Sequence, residues 1–294
     1  MRAVLSAQLA AMQGHEPGVI ADRDPEELHR FRVALRRTRS CIGQLKQALP
    51  KKPITKLKGE FAWLGAATGP SRDLDVFLED MKRYRKKLPE ASRPSLDPLI
   101  GLIKTDKQGE HQRLVAALES ERYRSLIGKW RKFLNSPFDL DEAPQSDRPI
   151  TEVAAARIRS RYDRMIRSGR KIDAREDTEA LHRLRIEGKK LRYLLEFFRD
   201  EFPPETVSPV ISTLKNLQDH LGRFNDLQVQ QESVEALIER LRAMESTPAS
   251  TLETAGDLIE RLARKEQKLR GRFADEFARF DSAEMASRIP EGSS

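Results

Sequence analysis

The stretch Glu26-Glu27-Leu28-His29-Arg30-Phe31-Arg32-Val33-Ala34-Leu35-Arg36-Arg37-Thr38-Arg39 decides how this chain is read, because it returns 153 positions later. The second copy is Glu179-Ala180-Leu181-His182-Arg183-Leu184-Arg185-Ile186-Glu187-Gly188-Lys189-Lys190-Leu191-Arg192. No gap is needed to match Leu28, His29, Arg30, Arg32 and Arg39 to Leu181, His182, Arg183, Arg185 and Arg192. Arg36 and Arg37 become Lys189 and Lys190, so positive charge persists where identity does not.

Both copies have helical periodicity. With roughly 100° per residue and His29 at zero, Arg32, Arg36, Arg39 and Lys46 fall within an arc of about 100°. Phe31, Leu35, Thr38, Ile42, Leu45 and Leu49 gather on the opposite side, as a core-facing stripe requires. In the second copy His182, Arg185, Lys189, Arg192 and Arg199 fill the cationic arc, and Leu184, Leu191, Leu195, Phe198 and Phe202 take the core side. Tyr193 and Phe197 widen its apolar face.

The register extends well past the histidines. Pro50 matches Pro203, Leu64 matches Leu217, Gly69 matches Gly222, Asp73 matches Asp226, Leu74 matches Leu227 and Val76 matches Val229. Helix breakers kept in register over two long segments point to an internal duplication with about four helices in each half. The expected fold is therefore all-α, two tandem pseudo-symmetric four-helix bundles with a basic cleft. The expected divisions are 1–140, 141–286 and a disordered tail over 287–294.

No stretch reads as an alternating strand. Helices are expected from about Val4 to Gln13, stopped by the Gly14-His15-Glu16-Pro17-Gly18 turn signals, and from Asp24-Pro25 to about Leu49. The next spans roughly Ile54 to Thr68, and Ser71 is expected to cap one that runs to about Lys87. A Pro/Ser-rich stretch over 89–98 precedes a helical region ending near Leu134, and 135–149 reads as a linker. After it, helices are expected from Ile150 to Arg167 and from a Thr178 cap towards Pro203-Pro204. Another should end at a Gly222 break, with Asn225 opening its successor. A loop over 245–250 precedes a final helix to about Phe280.

Composition narrows the function classes. The chain has 294 residues, 38% apolar and 34% charged, with a single cysteine, Cys41, which excludes an internal disulfide. No apolar run approaches the length of a membrane span, and a cytoplasmic protein is expected. Between Leu28 and Gly59 stand ten Lys/Arg residues and no Asp or Glu; removing those ten from the net charge of +8 leaves the remainder at −2. The excess charge is thus local, as an anion-binding patch requires. Cations at i, i+3/i+4 and i+7 lie roughly 5 Å apart along a helix, which suits an extended polyanion better than one compact phosphate. Two such helices can line a channel with two positive walls. Arg offers paired donors to phosphate oxygens, Lys a point charge, and each histidine a ring N–H. Asp73 and Asp226 read chiefly as helix-start residues, with a second reading as carboxylates that orient a neighbouring arginine.

These residues resemble the conserved-histidine α-helical domain, the CHAD family. The resemblance rests on E-x-L-H-x-x-R-V-x-x-R-R-x-R over 26–39, G-P-S-R-D-L-D-V over 69–76, L-H-R-L-R-I-x-x-K-K-L-R-Y over 181–193 and L-G-R-F-N-D-L over 221–227, and covers essentially the whole chain. It implies two related helical bundles and a basic cleft that binds inorganic polyphosphate, with association to polyphosphate granules. It also implies phosphate contacts from His29, Arg32, Arg36, Arg39 and Lys46, and from His182, Arg185, Lys189, Arg192 and Arg199. Arg37, Lys58, Arg72, Lys190, Lys215 and Arg223 form a secondary set. Ala62, opposite Lys215 in the register, stands where a basic residue is expected. The Glu-x-Glu-x-Lys alternation of the triphosphate-tunnel domain often fused to this family does not occur in the sequence.

Two other classes stay open on the sequence. A basic groove attracts nucleic acid too, although no stacking aromatics interleave with the arginines. An enzyme of phosphate-ester or polyphosphate hydrolysis would need a nucleophile or metal site. The stretch 65–69 lacks the spacing and lysine of a phosphate-binding loop, and Asp73-Leu74-Asp75 is not repeated because Gln228 replaces the second carboxylate. The expectation is therefore a non-catalytic binding module without cofactor or metal, with polyphosphate as partner and no membrane insertion.

Overall fold

The computed structural model describes residues 2–44, 51–136, 149–244 and 246–290. It is all-α, with no strand among the described residues. The helices are α1 (Arg2–Ile20), α2 (Pro25–Gln44), α3 (Lys51–Ala67), α4 (Gly69–Lys86), α5 (Asp97–Glu119), α6 (Glu121–Asn135), α7 (Ile150–Gly169), α8 (Thr178–Phe197), α9 (Pro204–Arg242), α10 (Ala249–Phe280) and α11 (Ala283–Ser287). Short 3₁₀ turns cover Glu90–Leu96 and Arg199–Glu201. No helix among the described residues is long and apolar enough to cross a membrane. Two compact units form, one from Met1–Ser146 with Leu237–Ala255, the other from Asp147–Ala236 with Gly256–Ser294.

In the first unit α2 buries Phe31, Leu35, Thr38 and Ile42, the stripe its periodicity predicts. Leu45, Lys46 and Leu49 lie outside the described residues. Phe61 of α3 meets Trp130 of α6 edge to face at 5.2 Å, and both are fully buried. α1 does not stop at the expected turn signals but runs through Gly14, Pro17 and Gly18. Its last turns are fastened by side chains instead. His15 Nδ1 lies 2.8 Å from Glu27 Oε2, and Tyr123 Oη donates to Glu16 Oε2 at 2.5 Å. A Cβ on Gly18 would come within 2.5 Å of Glu27 Cγ, so this glycine serves close approach of α1 to α2. Packing along α2 outweighs the hydrogen bond lost at Pro17.

The Gly69-Pro70 break occurs as expected, but Ser71 is not its cap. Thr68 holds the N-cap position, Gly69 and Pro70 open α4, and Ser71 is buried inside the helix. Pro70 is tolerated there because first-turn N–H groups have no helical partner. Further on, Lys107 Nζ of α5 reaches Asp75 Oδ1 of α4 at 2.9 Å and Asp22 Oδ1 at 3.2 Å. Asp22 is the one non-glycine residue with positive φ among the described residues (45°) and turns the chain from α1 into α2.

In the second unit α8 buries Leu184, Leu191, Leu195 and Phe198, while Tyr193, Phe197 and Phe202 are half-buried. Its N-cap is Asp177 rather than Thr178. Asp177 Oδ1 accepts from the Ala180 N–H at 2.8 Å, whereas Thr178 Oγ1 accepts from Arg270 at 2.6 Å. Arg270 also donates to the Ala174 carbonyl at 2.7 Å and to Glu266, and lies 4.7 Å over the Phe224 ring. One nearly buried cation thereby ties the α7–α8 connection to α9 and α10. α8 ends at Phe197, earlier than its pattern predicts, because Phe202 must be extended ahead of Pro203 (φ −130°, ψ 155°).

The largest departure is α9. Gly222 does not break it and Asn225 opens no new helix; 39 residues run without interruption. At roughly 60 Å such a helix is longer than one small bundle. Its last turns cluster with the first unit, where Arg240 pairs with Asp106 through both guanidinium nitrogens at 2.5 and 3.0 Å. The expected division at 140/141 therefore misses 237–255. The expected tail also begins too early. Ser282 caps α11, Met285 and Ile289 are buried, and Arg159 donates to the Ala286 and Ile289 carbonyls at 3.3 and 2.8 Å. Residues 291–294 lie outside the described residues.

Candidate functional site

Two cationic helix faces are built, one in each unit. On α2, Arg36, Arg37 and Arg39 are exposed, while His29 and Arg32 are half-buried. Arg32 is the anchor: its Nη1 donates to Thr68 Oγ1 at 2.8 Å and to the Gly65 carbonyl at 3.1 Å, both at the C-terminal end of α3. Burial presses the Arg32 guanidinium below its ordinary pKa, the Asp73 carboxylate works against that, and Arg36, Arg39 and Arg72 add repulsion. Asp73 thus serves as a carboxylate facing an arginine of the stripe, not as the helix-start residue expected. Arg39 extends over α3, where a Cβ on Gly65 would come within 2.4 Å of its Nη1. Gly65 leaves room for the guanidinium. Among the described residues Arg36, Arg37 and Arg39 form no ion pair.

His29 faces α4. Burial, then the Arg72 guanidinium, hold its imidazole below the usual histidine value of 6.5; Arg36 and Arg30 lower it further, and Glu26 partly offsets them. His29, Arg32, Arg36, Arg39 and Arg72 are consequently one electrostatic group. Lys58 is exposed on α3, two turns before Gly65 on the same face, and Lys46 lies outside the described residues.

On α8 the same register positions have different surroundings. His182 Nδ1 lies 2.8 Å from Asn225 Oδ1 of α9, and Asn225 occupies the register position of Arg72. An amide therefore orients this histidine where a cation crowds the other. Gln218 stands at the position of Gly65 and donates to the Gly188 carbonyl at 2.6 Å. Leu221 stands at that of Thr68, so Arg185 lacks the anchor Arg32 has, and its Nε is buried without a hydrogen-bond partner. Arg192 Nη1 donates to Glu196 Oε1 at 3.1 Å, with the guanidinium carbon 5.3 Å from the Tyr193 ring centroid. Lys189 is half-buried on the same face.

Three expected residues do not join this face. Arg199 lies in the 3₁₀ turn beyond the end of α8. Lys190 Nζ donates to Glu187 Oε1 at 2.6 Å, and Glu187 also takes Arg161 of α7 at 2.9 Å, so Lys190 belongs to the α7 side. Arg223 is turned roughly 160° from Asn225 because α9 is continuous, and its charge acts on His220, which also feels Arg272 and Glu276 of α10. Lys215 is exposed on α9, one turn from Gln218.

Thr68, Gly65, Asn225 and Gln218, the residues that seat the stripes, were not read from the sequence. The register sets Gly65 against Gln218, Thr68 against Leu221 and Arg72 against Asn225, so the signal lay in where the halves differ rather than in what they share. Among the described residues no group of three His, Cys, Asp or Glu side chains is close enough to hold a metal. Burial pushes the Cys41 thiol up to about 12, so it stays protonated near neutral pH.

A family model described as the CHAD domain matches residues 3–235. The crystal structure of the CHAD domain from the plant Ricinus communis superposes with a TM-score of 0.69 at 25% identity, covering 98% of this chain and 89% of that one. PptA from Streptomyces chartreusis shares the fold at a TM-score of 0.70 and 15% identity, over 94% of this chain and 97% of that one. No curated protein matches the chain at a significant level.

Proposed function

This chain belongs to the CHAD-domain family, and on that footing we propose that it binds inorganic polyphosphate on the α2 and α8 faces without turning it over. The observation that carries the reading is the α2 face. Arg36 and Arg39 stand exposed with no ion pair among the described residues, and Arg32 is fixed in place by Thr68 and Gly65. Like charges held together cost stability, and a polyanion removes that cost. Spacing along the helix matches an extended polymer, whose bound oxygens take paired donors from arginine. The half-buried His29, held neutral by its setting, gains a proton when phosphate arrives, because a nearby anion favours the imidazolium.

In this reading the 153-residue register reflects a duplication that gave the chain two faces for one ligand. A cytoplasmic protein recruited to polyphosphate granules fits the same chemistry. The test is a titration with polyphosphates of graded length, with orthophosphate and RNA as competitors at matched charge. Affinity should rise with chain length, fall as salt releases the ionic contacts, and exceed that for RNA. RNA binding as tightly or more tightly would replace polyphosphate with nucleic acid as the ligand. Liberation of orthophosphate during the titration would make the module an enzyme.

A further inference from the structure

We propose that Glu196 is a built-in counter-ion of the α8 face, which an incoming polyanion must displace, so that the α2 face loads first. The inference rests on the polyanion-binding reading and deepens it, since it makes the two faces unequal.

Glu196 lies inside the arc of His182, Arg185, Lys189 and Arg192 when α8 is projected at about 100° per residue. It accepts from Arg192 Nη1 at 3.1 Å, and its side chain is 39% exposed, so the carboxylate sits at the surface where an anion arrives. Arg192 itself is only 21% exposed, its Nε is buried and unpartnered, and its Nη1 is taken by Glu196. A phosphate approaching Arg192 therefore competes with the Glu196 carboxylate for Nη1. In the register Glu196 corresponds to Gly43, and α2 carries no acid from Leu28 to its end. Among the described residues a Cβ on Gly43 meets nothing within 4 Å. The acid is thus absent from one face and present on the other at matching positions.

Partial exposure decides how strong the device is. An i,i+4 pair near solvent is weak and screened by salt, so a polyvalent ligand displaces it, whereas a monovalent anion gains little by doing so. Glu196 then acts as a threshold: a short anion settles on α2, and only a polyvalent anion displaces Glu196 from α8.

The experiment compares wild type with Glu196→Gln and Gly43→Glu, titrating long-chain polyphosphate and, separately, heparin over a range of salt. Glu196→Gln should bind both about three- to tenfold more tightly, with affinity falling more steeply with salt because one more ionic contact forms. Gly43→Glu should weaken binding by a similar factor, and Glu196→Gln should melt like wild type. A merely structural glutamate would change the melt and leave the salt dependence alone. Unchanged or weaker binding by Glu196→Gln overturns the proposal. If wild type binds heparin but not polyphosphate while Glu196→Gln still binds heparin more tightly, the counter-ion stands and the polyphosphate reading falls.

Discussion

Gly69-Pro70 and Gly222-Arg223 hold the same place in the 153-residue register, yet the chain breaks at the first and continues through the second. Glycine permits a break and a proline directly after it favours one, although packing carries α1 through Pro17 and α9 through Pro209. Glycine inside a helix costs about 1 kcal/mol relative to alanine, which packing of a long amphipathic helix readily covers. Proline removes a donor and clashes with the preceding turn. Nearby residues on both sides of Pro70 differ between the two faces as well. At the break the Gly65 and Thr68 oxygens at the end of α3 seat Arg32, and Arg72 comes to His29. The continuous α9 brings Asn225 to His182 and carries Arg223 away.

The comparison can be broken where it originates. Arg223→Pro should cut α9 and cost about 3 kcal/mol or more, read by denaturant unfolding and loss of helical circular dichroism. The converse Pro70→Arg should cost less than about 1 kcal/mol, because the break is already held by Thr68 and Arg32 and no helical bond depends on that N–H. Equal effects would show that the two sites differ for a reason other than proline.

The second contrast concerns how each unit fastens the connection that leads into its cationic helix. Lys107 holds Asp22 and the buried Asp75 in the first, and Arg270 holds Ala174 and Thr178 in the second. Lys107→Met leaves the Asp75 carboxylate buried and unpaired, and should destabilise by about 2–4 kcal/mol in a thermal or denaturant melt. A loss within error would mean that water already reaches Asp75.

Smaller effects sharpen the sites themselves. Gly65→Ala should push the Arg39 guanidinium off α3, lowering polyanion affinity about two- to fivefold while leaving the melt unchanged or slightly raised, as alanine favours a helix. Arg72→Asn gives His29 the neighbour His182 has. Because burial and Arg72 depress the His29 value, the folded state binds that proton less readily than the unfolded chain. The sign is then fixed: His29 costs nothing above its unfolded value of 6.5, and stability falls as pH drops below it. Arg72→Asn should raise the His29 titration midpoint by NMR and soften that acid-side loss. An unmoved midpoint would leave burial as the sole cause.

The all-α class and the two buried stripes were legible because Phe31, Leu35, Leu184 and Leu191 repeat at helical spacing, and periodicity is what burial imposes on sequence. Local punctuation was less legible. Gly14-His15-Glu16-Pro17-Gly18 looks like a turn, and only the pairing of His15 with Glu27 and Glu16 with Tyr123, from distant parts of the chain, explains why it stays helical. Of the site, the cationic arcs followed from spacing alone, since a helix fixes which residues share a face. Arg199 was misplaced because Pro203 ends α8 several residues upstream of itself. The seats of the arginines belong to other helices, and one helix's pattern says nothing about its neighbour's surface.

Charge reversal of one cation on each of the α2 and α8 faces tests the proposed polyphosphate binding most directly. Long-chain polyphosphate is titrated into wild type and the Arg36→Glu/Lys189→Glu double variant, with helicity followed by circular dichroism. The expected result is an affinity lower by about 100-fold or more with helicity intact. Undiminished binding by a fully helical double variant would contradict the account.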